Sequence, residues 1–158
     1  MFREKKIMSA NPASVNAQSL QPDLCNVFIQ VWVDVNALAQ GSTQGCYAVS
    51  NRSQQSNGEG TAQLITTVPT ASRVCWSVVP IDPQYQNTAD AQFFTINAIG
   101  VGSGWDAPPT QPGDDPSIFT GSVSKSTVSG NVNADIEFSC NTSGTSVTVT
   151  LPVQLTVQ

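Results

Sequence analysis

The sequence has no histidine, and its 158 residues include only 6 basic and 11 acidic side chains. Histidine is the usual side chain for acid–base catalysis near neutral pH and for binding transition metals. Without it, an active site needs a constellation of carboxylates, lysine or thiolates, and the sequence contains no recognisable one. The chain is therefore predicted not to be an enzyme, and no cofactor or metal is predicted for it.

Positive charge is especially scarce. Three of the six basic residues, Arg3, Lys5 and Lys6, lie together near the N-terminus, and Lys125 is the only lysine beyond them. Nucleic-acid binding requires clustered Lys and Arg, so that class of partner is excluded. A charged content of 11% is far below the usual ~25%. Copies of such a chain repel one another weakly, although the net charge of −5 supplies some repulsion.

Long apolar runs are also missing. No segment approaches the ~20 apolar residues that span a bilayer, so membrane insertion is not predicted. The start, MFREKKIMSANPAS, is basic but is not followed by the apolar stretch of a secretory signal. We therefore expect a cytoplasmic location, and a cell-surface or extracellular one only through non-classical export.

Strict alternation of apolar residues is what the sequence has in abundance. In NVFIQVWVDV the odd positions from Val27 to Val35 are all aliphatic and share one face of a strand. Phe28 and Trp32 fall on the other face, which predicts that this face is partly covered too.

Similar patterns predict about eight strands and no βαβ alternation, which together indicate an all-β protein built as an antiparallel β-sandwich, jelly-roll or immunoglobulin-like. Residues 1–24 are predicted to form a flexible N-terminal arm and residues 25–158 the sandwich domain. The predicted strands cover 26–35, 46–51, 61–68, 73–81, 92–99, 118–128, 132–140 and 146–157.

Four widely spaced cysteines, Cys25, Cys46, Cys75 and Cys140, form no CxxC pair. Three of them fall within predicted strands, where a free cysteine behaves as a small buried hydrophobe. Disulfides are the alternative in an oxidising compartment. A zinc site would need all four thiolates to converge.

The stretch from Gly100 to Ser117 is predicted to be a long Gly/Pro-rich loop, and such loops are commonly functional. Trp105 beside Asp106 is typical of a sugar-binding surface, but the same indole would also plug one end of the sandwich. Asp106, Asp114 and Asp115 offer oxygen ligands suited to calcium, although their spacing matches no calcium-binding loop and favours a solvated one.

The order of several segments resembles the inclusion-body proteins of the PixA/AidA type. These segments are VFIQVWVDV, GTAQLITTV, RVCWSVVPIDP and GVGSGW with its proline-rich loop, and the resemblance covers roughly residues 26–158. The C-terminal LPVQLTVQ departs from the aromatic strand with which such proteins tend to end. The resemblance implies a bacterial, cytoplasmic β-sandwich protein that accumulates in quantity, sometimes as inclusions, without an established enzymatic activity.

We therefore expect a non-catalytic, self-associating protein of structural or inclusion type whose partners are copies of itself, in fibres or lattices. One predicted route is strand addition of the N-terminal arm to a neighbour's sheet edge, with Val15 and Leu20 as anchors and Cys25 as a lock in oxidising surroundings. The alternative is a carbohydrate-binding, lectin-like module that uses the 100–117 loop, in which case a glycan is the partner.

Overall fold

The computed structural model describes residues 19–100, 102–127 and 129–158, and in these ranges the chain is an all-β sandwich. The predicted fold class is confirmed, but the described residues form twelve strands rather than about eight. In chain order the strands are β1 Val27–Val33, β2 Cys46–Ser50, β3 Ser56–Asn57, β4 Ile65–Val68, β5 Arg73–Pro80, β6 Phe94–Ile99, β7 Trp105–Thr110, β8 Ile118–Val123, β9 Gly130–Asn133, β10 Ile136–Thr142, β11 Thr145–Leu151 and β12 Gln154–Val157.

Helical structure is limited to one short helix and four 3₁₀ turns in the described ranges. The helix α1 spans Val35–Ala39, and the carboxylate of Asp34 caps it by accepting from the backbone N–H groups of Asn36 and Ala37. The 3₁₀ turns are Pro22–Leu24, Thr43–Gly45, Ser53–Gln55 and Pro83–Tyr85.

The strands are arranged in two layers. The first layer is a five-stranded sheet in the order β2-β1-β5-β8-β7. The second layer consists of a four-stranded sheet, β3-β4-β12-β9, and a three-stranded sheet, β11-β10-β6. Inward side chains from all three sheets form one hydrophobic cluster, which includes Ile29, Trp76, Phe138 and Leu155. The core therefore lies between the two layers.

Two details differ from the prediction, namely the direction of some strands and the limits of the last ones. β1 pairs with β5 in parallel, and so does β4 with β12, so that the sheets are mixed. Each predicted strand after residue 130 is divided in two, because the long hairpin of residues 130–157 leaves one sheet and enters the other. Pro152 lies at the crossing on one arm and Ala134-Asp135 on the other. A proline there removes a ladder N–H where pairing changes partner.

The prediction of a loop over residues 100–117 is also wrong in part, since this segment contains the edge strand β7. The two prolines Pro108 and Pro109 lie inside β7, and its pairing with β8 is interrupted twice by register shifts. Proline is tolerated in a strand mainly at the edge of a sheet or at an irregularity, and β7 meets both conditions.

Candidate interaction surfaces

The outer face of the first layer carries an exposed cluster of aromatic and aliphatic side chains, which we call the aromatic surface. Phe28 and Trp32 on β1 are each 38% exposed, and Tyr47 on β2 is 41% exposed. Trp32 lies directly opposite Tyr47 in the β1–β2 register and opposite Val79 in the β1–β5 register. The half-buried Val49 on β2 completes the cluster.

Alternation along β1 positions these side chains. The burial of its seven residues changes at every position, with the odd-numbered ones fully buried and the even-numbered ones exposed. Ile29, Val31 and Val33 are each 0% exposed beneath the sheet. Their burial contributes roughly 1.5–3 kcal/mol per side chain, so the strand cannot turn over and its aromatic face is held outward.

The sheet edge beside the aromatic surface is closed by the chain itself. The backbone N–H of Ala48 on β2 donates to the Thr61 carbonyl at 2.8 Å, and the Gly60 N–H donates to the Ala48 carbonyl at 2.9 Å. The Ser50 N–H donates to the carboxylate of Glu59, 3.1 Å from both oxygens. The outer face of β2 is therefore exposed, whereas its edge is already hydrogen-bonded.

Trp105, for which the sequence allows either a sugar-binding role or a place at one end of the sandwich, packs against the core. Its ring meets that of the fully buried Trp76 edge to face, with centroids 5.8 Å apart and an interplanar angle of 71°. Both indole N–H groups are buried and have no hydrogen-bond partner among the described residues. The ring closes one part of the sandwich, which leaves little of its face for a sugar.

The three aspartates of the predicted ligand loop differ in their contacts. Asp106 accepts from the backbone N–H of Lys125 at 3.0 Å. One carboxylate oxygen of Asp115 accepts from Asn87 and from both the N–H and the hydroxyl of Ser117. Asp114 and Asp115 line an open cavity of about 490 Å³, together with Asn87, Thr88, Ala89 and Gln92. Asp106 and Asp115 thus bind donors of their own chain, Asp114 only lines the cavity, and Asp106 is not part of it.

Of the predicted assembly residues, Leu20 and Cys25 make hydrogen bonds within their own chain, and Val15 lies outside the described residues. The Leu20 carbonyl accepts from the Thr120 hydroxyl at 2.5 Å, on the outer face of β8. Cys25 is buried, and its thiol donates to the Gln21 carbonyl at 3.8 Å. A link between copies through Cys25 would first require this buried thiol to become exposed.

All four cysteines are free and buried. Burial raises the pKa of the Cys46 thiol from 9.0 to about 11, with a smaller contribution from nearby Cys140. Burial likewise raises the pKa of the Cys75 thiol from 9.0 to about 12, with a smaller contribution from Cys25. The reactive thiolate forms are therefore suppressed at neutral pH.

These raised pKa values predict a loss of stability in alkali. Between pH 9 and 12 the folded chain keeps thiol protons that the unfolded chain releases, so the free energy of unfolding falls as pH rises through this window. We expect the melting temperature of the reduced protein to fall from pH 8.5 to 10.5. In the Cys46→Ala/Cys75→Ala variant the fall should be smaller. Equal slopes, with Ser77→Ala as a non-titrating control, would contradict this.

Metal-binding clusters and membrane-spanning helices are both absent from the described ranges. No group of three or more His, Cys, Asp or Glu side chains in these ranges could hold a metal ion. None of the helices in the same ranges is long and apolar enough to cross a membrane.

Comparison with known proteins places the chain in a family. Residues 25–148 match the family described as Domain of unknown function (DUF8788), and the chain belongs to that family. No curated protein matches the chain. Among solved structures, it is similar to the inclusion body protein PixA from Burkholderia cenocepacia, with 14% identity and a TM-score of 0.53. The match covers 89% of this chain and all of that one. The resemblance predicted from the sequence is thus confirmed at the level of the fold.

The aromatic surface is a site that the sequence pattern did not predict. Phe28 and Trp32 were assigned to the second face of β1, but only as a sign that this face is partly covered. The signal that identifies the surface is the pairing of Trp32 with Tyr47, which depends on the β1–β2 register. The two strands are joined by a segment that contains α1 and the 3₁₀ turn Thr43–Gly45, and the alternation within each strand does not determine their register.

Proposed function

We propose that this chain is a non-catalytic, self-associating protein of the inclusion type, and that the aromatic surface is one of its contacts with other copies. The observation that carries the proposal is the exposed Trp32–Tyr47 pair on a rigid sheet face. The fold shared with a protein described as an inclusion body protein supports it. The absence of histidine from the sequence supports the non-catalytic part.

The chemistry of the aromatic surface suits a contact between identical copies. Between its aromatic side chains the outer face carries Gln30 and Ser77, which are uncharged, and Arg73 lies at the far end of β5. Arg73 lies two residues from Cys75, which pairs with Phe28. A contact centred on Trp32 and Tyr47 therefore keeps this charge at its rim, and leaving an unpaired charge unburied avoids a large desolvation cost. Trp and Tyr are the residues that most often dominate the energy of interfaces, since they bury a large area with little loss of conformational freedom.

Replacing the aromatic pair should weaken self-association without unfolding the protein. We expect Trp32→Thr and Tyr47→Thr each to lower the affinity between copies by roughly tenfold or more, because hot-spot side chains contribute about 2 kcal/mol or more. Threonine preserves strand propensity, so the melting temperature should change little. Light scattering after size-exclusion chromatography across a concentration series measures the effect.

Ile65→Thr is the matched control, because Ile65 is 39% exposed but lies on β4 in the second layer. We expect this variant to associate like the unmodified chain. Equal losses in all three variants would show that general hydrophobicity, rather than this surface, drives association. A monomer at every concentration of the unmodified chain would refute the proposal itself.

Strand addition by an N-terminal arm stays a prediction within this proposal. Leu20 is hydrogen-bonded to β8 and Cys25 to Gln21 of its own segment, so a strand that reaches a neighbour has to come from residues that precede Ser19. The division into an arm of residues 1–24 and a sandwich of 25–158 also stays a prediction. Within that arm, Ser19 and Leu20 make hydrogen bonds to Pro112 and to β8.

Glycan binding at the 100–117 segment, the alternative from the sequence, has less support. Its aromatic residue packs edge to face on Trp76, and Asp106 and Asp115 are occupied by backbone and side-chain donors. No observation favours this site over the aromatic surface, so self-association is the function that we propose.

A further inference from the structure

β11, an edge strand of the three-stranded sheet, has a free edge in the part of the chain that the structure describes. β11 pairs with β10 on one side, from Thr142↔Thr145 to Ile136↔Leu151, and with no other strand in the described part of the chain. Its sequence, TSVTVTL, contains no charge, proline or glycine. Natural sheets normally protect a long edge with lysine, proline, a bulge or a covering loop, because an open edge pairs readily with another chain.

The turn at the tip of the hairpin determines which peptide groups face outward. Ser143 and Gly144 have φ values of +47° and +75°, which is the conformation of a two-residue type I′ hairpin. Such a turn makes its flanking pair, Thr142 and Thr145, hydrogen-bond to each other. By alternation, the N–H and C=O groups of Ser146, Thr148 and Thr150 then point away from β10. All three residues are exposed.

The other edges of the sheets are protected in the described residues. β2 is closed by the 59–61 segment, and β7 contains two prolines and two register shifts. β6 is met on its outer side by the Pro116 carbonyl, which accepts from the Ile96 N–H at 2.8 Å. β3 has only two residues and β9 only four. β11 is thus the long edge without protection, in a chain whose other long edges have it.

We infer that β11 pairs antiparallel with β11 of a second copy, across a twofold axis at Thr148. In this register Thr148 lies opposite Thr148 of the second copy, and Ser146 lies opposite Thr150. These are the residues whose peptide groups face outward, so about six hydrogen bonds form between the chains and every free group on the edge is used. This inference names a second contact for the self-association that we propose and rests on that function.

Side chains on the outer face support the same axis. The Asn97 amide donates to the Ser139 hydroxyl at 2.9 Å, and the Ser139 and Thr148 hydroxyls are 3.0 Å apart. This polar ladder crosses β6, β10 and β11 and stops at the edge. In the twofold pair the two Thr148 side chains become neighbours, and the ladder continues into the second copy. Cross-strand Thr–Thr pairs stabilise sheets by roughly 0.2–1 kcal/mol.

A charge-swap experiment tests the axis directly, because only a twofold at this residue places position 148 against itself. We expect the full-length Thr148→Lys and Thr148→Glu variants each to associate more weakly than the unmodified chain, since like charges then lie directly opposite. An equimolar mixture of the two should recover the association, and added salt should weaken that recovery. Thr148→Val, which keeps the backbone and the branched shape but loses the hydroxyl of the ladder, is the matched control and should weaken association far less than either charge variant. Analytical ultracentrifugation measures the association of the unmodified chain, the three variants and the mixture. The melting temperatures of the variants check that each is folded.

The outcomes separate the two proposals. A monomeric unmodified chain overturns both. Association that neither charge variant weakens overturns the pairing of β11 while leaving the aromatic surface in place. Weakening by each charge variant without recovery in the mixture also overturns it, because the edge is then occupied by a different strand, such as the segment before Ser19. Weakening that the mixture reverses is the result that we expect.

Discussion

Gly100→Ala is expected to cost the fold about 3–5 kcal/mol, enough to remove most of the stability of an ordinary domain. Gly100 follows β6 with φ of +49°, and its N–H donates to the Asp135 carbonyl at 2.9 Å. A methyl group at this position would overlap the carbonyl oxygen of Asn133 and lie 2.8 Å from its carbon. Both atoms belong to the backbone at the point where the hairpin changes sheet, so neither can move aside cheaply.

Two other glycines serve as controls for this prediction. Gly41 has φ of +79° but no atom within 4 Å of an added methyl group, so Gly41→Ala isolates the strain of the left-handed backbone at about 1–2 kcal/mol. Gly113 has open space and no positive φ, and its replacement by alanine should be neutral. Urea denaturation gives the three values. A loss for Gly100→Ala no larger than for Gly41→Ala would show that the backbone relaxes around the methyl group.

Trp76→Ala should destabilise the protein by about 3–5 kcal/mol, because it empties the largest fully buried site of the core. Trp76→Phe should cost much less, about 1 kcal/mol. Phenylalanine fills most of the space and removes an indole N–H that is buried without a partner among the described residues, a group that itself costs about 1–3 kcal/mol. Urea denaturation measures both losses, and a loss for Trp76→Phe nearly as large as that for Trp76→Ala would contradict this prediction.

The contact between Trp76 and Trp105 can be separated from burial by a double-mutant cycle with leucine at both positions, because leucine removes the aromatic ring but keeps an apolar side chain. Edge-to-face aromatic pairs contribute about 0.5–1.5 kcal/mol beyond their buried area, so a coupling of that size is expected. Additive losses, measured from urea midpoints, would mean that Trp105 only covers the core. The cycle also tests whether closing the sandwich accounts for the position of Trp105.

Local alternation was sufficient to predict the sandwich. The pattern of β1, and the buried run from Val149 to Val157, can be placed only as strands with one face in a core. The limits of the strands within such runs are harder to predict from the sequence. Nothing in the period-2 pattern marks Pro152 as the point where a strand changes sheet, because both parts keep the same buried phase. β7 was hidden because its prolines are normally interpreted as loop signals.

The surfaces were predicted less well than the core, for a physical reason. A core residue is identified by its own strand, whereas a surface depends on which strands are neighbours. Trp32 and Tyr47 are 15 positions apart and meet only through the β1–β2 register. The free edge of β11 likewise depends on the place of β11 in the sheet order. Trp105 shows the converse, since a local composition typical of sugar binding belongs to a side chain that packs on the core.

The positions of the aromatic surface and the β11 edge determine what kind of assembly they would build. They belong to different layers of the sandwich, so one copy can use both at once. A self-complementary contact of one kind closes as soon as two copies meet, and growth stops there. A unit with two such contacts has a valency of two, and it extends into a linear polymer whose length rises with concentration. At a low concentration the protein would then form mainly pairs, and at a high concentration it would form long polymers that collect in a separate condensed body.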